Sequence, residues 1–157
     1  MNMSYRLDIS EDSYSLQNMQ DFLSEVLPLR VEGGGMYDCG DKYFTERYGL
    51  NSYLLLYTID GSGEMDTGEG QKILSPGQAV VLDCMPKHYY RTRKGERWKF
   101  YYCHFQGNME GFSQLLLGGG QGIEPYDRQE FSVLFAKMLM LHFSFPCHFK
   151  LRNRDTY

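Results

Sequence analysis

Four side chains on one short segment, Trp98, Phe100, Tyr102 and His104, form the densest set of ligand-binding residue types in the chain. If residues 98–105 are extended, a period of two puts these four on one face and Lys99, Tyr101, Cys103 and Phe105 on the other. Aromatic faces stack on the C–H faces of sugars, while Tyr, His and Arg supply the hydrogen bonds that fix hydroxyl groups. The same four groups could instead fill the inside of a small barrel, a reading that is strongest for Trp98 and Phe100. His88 and Tyr90 form a second pair at a spacing of two, and Tyr53 and Tyr57 share a parity that could line a cavity. Each histidine is also readable as a satisfied structural group. Arg47 carries a planar five-donor fork suited to vicinal hydroxyls or a carboxylate, with a surface ion pair to Glu46 or Asp60 as the alternative. The candidate ligand-binding residues are therefore Arg47, Tyr57, His88, Tyr90, Trp98, Phe100, Tyr102 and His104.

Catalytic patterns are scarce by comparison. No serine sits in a G-x-S-x-G turn, and Cys103 and His104, being strand neighbours, point to opposite faces. His88, His104, His142 and His148 give no three-ligand metal set by local spacing. The glycines of Gly61-Ser62-Gly63 read as a hairpin rather than a phosphate loop, because no helix follows them. No catalytic residue, metal or other cofactor is expected.

The elements that must position these groups are mostly strands. Residues 53–59 are aromatic, Leu or β-branched and stop at Asp60-Gly61-Ser62-Gly63, which reads as strand, turn, strand. Further turns fall at residues 66–70, at Ser75-Pro76-Gly77 and at Lys94-Gly95-Glu96, bounding strands at 79–84, 88–92 and 98–105. Short strands at this spacing predict a jelly roll or barrel. Residues 29–32, 36–39 and 42–47 read as further strand pieces around Gly33-Gly34-Gly35, a loop or bulge where side chains would obstruct. Residues 1–14 read as a loosely held arm. Leu16, Met19, Phe22, Leu23 and Val26 show helical spacing up to Pro28, and residues 109–117 read as another short helix. Gly118-Gly119-Gly120-Gln121-Gly122 is the clearest linker. From Asp127 as N-cap, Phe131, Leu134, Phe135, Met138, Leu141, His142 and Phe145 follow helical spacing, with apolar residues on much of the other face too. Such a helix needs cover on two sides, from the barrel and from either a second copy or its own chain. The domain reading is an arm at 1–14, a barrel at 15–117 and a helical segment at 123–157.

A chain of 157 residues suits one domain with an appendage. Its net charge of -4 argues against a nucleic-acid surface, which needs a concentrated basic field. The one basic cluster, Arg91, Arg93, Lys94, Arg97 and Lys99, surrounds a hairpin turn at Gly95 and reads as an ordinary solvated loop, with a contact surface as the alternative. Four dispersed cysteines without a C-x-x-C pair fit a reducing, cytoplasmic setting, and neither a signal segment nor a membrane-spanning apolar run is visible.

The order of Arg47, the tyrosine-rich segment from Tyr53 to Gly63, Pro76-Gly77, His88 with Tyr90, and Trp98 through His104-Phe105 resembles the N-terminal sensor domain of AraC-type bacterial transcription regulators. The resemblance implies a mostly β, cupin-like jelly-roll barrel with a C-terminal α-helix that opens a dimerising helical hairpin. It also implies a small-molecule effector, often a sugar, a homodimer formed through that helix, and an arm that folds over the effector through Met3 and Tyr5. The family's DNA-reading helix-turn-helix pair has no counterpart in these residues, so the expectation is a sensor domain from a longer regulator, not an enzyme. The family's pocket histidine and tryptophan fall where this chain has Phe100 and Tyr102, which leaves the sugar unspecified. The alternative is a free-standing cupin, carbohydrate-binding or a metal-dependent isomerase or dioxygenase. The H-x-H cluster of such enzymes is missing from residues 58–77.

Overall fold

The computed structural model describes residues 2–17, 29–68, 70–107, 127–143 and 149–150. Among these, eleven strands build two antiparallel sheets. The first sheet runs β1 (Asn2–Arg6), β4 (Phe44–Tyr48), β9 (His88–Thr92), β6 (Gly63–Asp66), β7 (Gln71–Leu74). The second runs β11 (Phe149–Lys150), β2 (Tyr14–Gln17), β3 (Leu29–Cys39), β10 (Trp98–Gly107), β5 (Tyr53–Gly61), β8 (Ala79–Asp83). One helix, α1 (Arg128–Phe143), packs on the outside of the second sheet. This is the mostly β architecture that the strand pattern predicts, and the cupin-like one that the resemblance implies.

Successive strands alternate between the sheets more often than they pair, which corrects two expected hairpins. β5 and β6 flank Ser62 but belong to different sheets, as do β9 and β10 around Gly95. Gly61 makes the first crossing possible with φ 67, and a side chain there would run into the Arg97 carbonyl. On the far side of the crossing, a Cβ at Gly63 would stand 2.5 Å from the Trp98 indole. The glycines are there to let the chain turn a barrel corner against the tryptophan.

The triglycine is a correction in part: a bulge and obstructed side chains are found there, as read, but no loop. β3 runs unbroken from Leu29 to Cys39 through Gly33-Gly34-Gly35, pairing with β10 along its length and bulging only between Val31 and Gly33. A Cβ on Gly34 would lie 2.6 Å from Leu139 Cδ2 of α1 and 2.7 Å from the Tyr102 carbonyl oxygen. The bare stretch is the seat of the helix. The arm is a strand as well: Asn2–Arg6 pairs along β4 as a solvent-facing edge. Tyr14–Gln17, the start of the segment read as helical, is strand β2. The remainder of that helix, the 109–117 helix and the glycine linker lie outside the described residues.

Asp127 caps α1, its Oδ1 accepting the Glu130 N–H at 2.8 Å. Phe131, Phe135, Met138 and Leu139 face the sheet and cover Tyr57, Ala79, Tyr101 and Cys103. Leu134, expected on that packed face, is 56% exposed, beside exposed Val133 and Met140.

Candidate functional site

The inner face of β10 sets the axis of the cup. Trp98 and Phe100 are buried to 0% and 1% exposure, whereas Tyr102 and His104 further along the strand are half-buried. Burial on this face is therefore complete at the Trp98 end and partial at the His104 end. Tyr43 and Tyr90 pack edge-on or tilted against Trp98, and Tyr43 and Tyr37 against Phe100. Such pairs contribute about 0.5–1.5 kcal/mol each beyond burial. The buried indole N–H is satisfied by Thr58 Oγ1 at 3.2 Å. Trp98 and Phe100 thus form a solid floor, the barrel-filling role left open for them above.

Tyr57 does not join this site. Leu54, Leu56 and Thr58 take the inward positions of β5, so Tyr57 points out, its ring 4.9 Å from that of Phe131 and its hydroxyl donating to the Arg128 carbonyl at 2.9 Å. It anchors the helix instead.

The remaining candidates converge near His104. Arg47 and His88 are cross-strand partners on β4 and β9, and both reach toward His104 on the opposite sheet. Arg47 Nη1 lies 3.3 Å from His104 Nε2. A guanidinium only donates, so Nε2 must accept and the proton sits on Nδ1, which faces Ser52 Oγ at 3.5 Å. Burial first, then the charge of Arg47 and the proximity of the His88 imidazole, push the His104 pKa down to about 3. His88 is held neutral in a similar way: burial lowers its pKa, while Nδ1 donates to the Pro86 carbonyl at 3.0 Å and leaves Nε2 as the acceptor. Its ring stacks parallel on Tyr90, whose buried phenol is pushed up to about 12 chiefly by desolvation.

Tyr102 completes the wall. Its hydroxyl lies 2.6 Å from Ser15 Oγ on β2 and 3.3 Å from the Tyr37 hydroxyl, with the Tyr37 and Tyr102 rings 4.8 Å apart. Burial raises its pKa, so the phenol stays a donor. Arg47 finishes the rim by donating from Nη2 to Met3 Sδ at 2.9 Å, and its buried Nε has no partner among the described residues. Ser15, Tyr37 and Ser52 were not singled out in the sequence. Tyr37 was legible in principle as a tyrosine in a strand piece, whereas the two serines carry no local signal.

The set offers directional donors, two neutral imidazoles and flat aromatic faces, groups able to hold a polar organic molecule. Cys39, Cys84 and Cys103 are free and buried, with thiol pKa values raised mainly by burial, so they are poor nucleophiles. Among the described residues no group of three or more His, Cys, Asp and Glu is placed to hold a metal ion. No described helix is long and apolar enough to cross a membrane.

YhaK from Escherichia coli shares the fold at a TM-score of 0.54 and 14% identity, over 64% of this chain and 47% of that one. The Cupin_2 domain of an XRE family transcriptional regulator from Enterobacter cloacae aligns at a TM-score of 0.45 and 16% identity, over 65% and 94% of the two chains. The Cnp3 cupin domain of Schizosaccharomyces pombe aligns at 0.47 and 8%, over 70% and 76%. No curated protein matches the chain. The sequence model for the AraC-like ligand binding domain matches residues 35–141, which takes in the second half of β3, β4 through β10 and most of α1. The chain belongs to the AraC-like ligand binding domain family.

Proposed function

We propose that this chain is the effector-sensing domain of an AraC-type transcription regulator, holding a small polar organic molecule at the His104 end of its barrel and reporting occupancy through its edge strand and helix. The observation that carries this reading is the convergence of Arg47, His88, Tyr102 and His104, drawn from both sheets, above a floor of Trp98 and Phe100. A sugar or sugar derivative fits that mixture of flat faces and directional hydrogen-bonding groups. The exposed Val133, Leu134 and Met140 of α1 support a homodimer formed through this helix. DNA contact would then belong to a separate domain.

A thermal-shift screen of sugars, sugar acids and small aromatics tests the reading, since a ligand that binds only the folded form raises its melting temperature. A hit should lose about tenfold or more in affinity when Tyr102 or His104 is replaced by Ala, the loss expected for a directional hydrogen bond and its packing. A hit whose affinity neither substitution alters would place the ligand elsewhere and refute the assignment.

A further inference from the structure

We propose that the ligand of this cup carries a carboxylate, with Arg47 as its counter-charge. This rests on the ligand-binding reading above and narrows it to an acid on a ring-sized body.

Charge balance carries the argument. Arg91, Arg93 and Arg97 on the same barrel each hold an acid, Glu64, Glu96 and Asp38 respectively. Arg47 holds none within 4.0 Å among the described residues. Glu46, beside it in sequence, faces away to Lys87 at 3.0 Å, and Asp83 accepts the Met85 N–H at 2.9 Å. What Arg47 touches instead is neutral: the acceptor nitrogen of His104 and the sulfur of Met3. A thioether is a weak acceptor for a charged donor, and the buried Nε is left with nothing. A half-buried cation with one orphaned donor is unfavourable unless something supplies negative charge. A carboxylate sitting edge-on to the guanidinium would take the Nε and an Nη together, in the two-bond geometry that fork favours. Both imidazoles are neutral, so neither competes for the role.

Beyond His104, the Tyr102 ring lies 6.2 Å from the imidazole and 4.8 Å from the Tyr37 ring, so two flat faces and two phenol hydroxyls stand near this cation. Flat faces there favour a ring as the body of the acid, and the hydroxyls suit a ring substituent able to hydrogen-bond. Sugar acids and hydroxylated aromatic acids both meet these terms.

Matched pairs separate the charge from the body. The intact chain would be titrated by calorimetry and thermal shift with D-galacturonate against D-galactose, and with 4-hydroxybenzoate against 4-hydroxybenzyl alcohol. The acid of at least one pair should bind ten- to a hundredfold more tightly than its neutral mate, the range expected for a charge-assisted bond. The pair that responds identifies the body. Arg47→Gln should abolish that preference, while Arg47→Lys, which keeps the charge without the fork and serves as the folding control, should retain part of it. Binding of the neutral members alone, or an acid preference that survives Arg47→Gln, would overturn the carboxylate and leave the ligand-binding reading standing. Silence from both pairs in the wild-type chain would count against the two readings together.

Discussion

His104 is the residue whose chemistry is most sharply set by its surroundings. Its imidazole is confined between a cation and a serine hydroxyl, and protonating Nε2 would put two positive charges face to face. The folded-state pKa of about 3 lies below the ordinary value of 6.5, so between those values the unfolded chain binds more protons than the folded one. Stability is therefore undiminished above about pH 6.5 and falls as pH drops toward 3, at no more than about 1.4 kcal/mol per unit from this group. His88, with a pKa also lowered, adds to the same window. Denaturant midpoints measured from pH 7 to pH 4 should fall, and His104→Gln should flatten the slope. An unchanged slope in that variant would show that His104 is not neutral in the folded protein. Most of these residues were legible as candidates because alternation on β10 and β9 is a property of any strand. Tyr57 was misplaced because parity states that two residues share a face, without stating which face is inward; only the docking of Phe131 decides it.

At the scale of elements, the unusual joint is α1 against the triglycine of β3. Leu139 is fully buried there, and the helix can approach only because Gly34 has no side chain. Leu139→Ala should cost about 2–5 kcal/mol in chemical denaturation, the range for a buried leucine leaving a cavity. Gly34→Ala should also destabilise, because its methyl meets the β10 backbone at Tyr102 as well as the Leu139 side chain. Pairing Gly34→Ala with Leu139→Ala should recover only part of that loss, and complete recovery would mean that the backbone contact is harmless. The sequence marked the triglycine as a break because glycine more often interrupts a strand than continues one. The continuing pattern becomes visible only when the helix that needs the space is in place. The hairpins read at Ser62 and Gly95 failed for a related reason: a tight turn is chemically the same whether the next strand pairs with the last or crosses to the facing sheet.

The described barrel divides into a fully buried aromatic end around Trp98 and a polar end around His104. Removing the floor should therefore cost stability first: Trp98→Ala is expected to lose about 3–5 kcal/mol, as large buried aromatics do. The outer face of α1 makes a separate prediction. If Val133, Leu134 and Met140 are covered by a second copy, Leu134→Glu should turn a dimer into a monomer in sedimentation equilibrium without lowering the thermal stability of the barrel. An unaltered mass would assign that face to other parts of the same chain. The fold class was readable because turn residues at regular spacing and alternating strands are consistent along the middle of the chain. The edge strand at Asn2–Arg6 was not, since all five of its residues, Met3 and Tyr5 included, are exposed and present no buried face.

The central claim is that a small molecule lies between His88, His104, Arg47 and Tyr102, above the Trp98 floor. Long-range imidazole NMR on nitrogen-15-labelled protein, recorded while a thermal-shift hit is titrated in, reads this directly. Saturable movement of the His88 and His104 ring signals, with the Trp98 indole signal moving little, is the expected result. Saturation of binding with both imidazoles unmoved would contradict it.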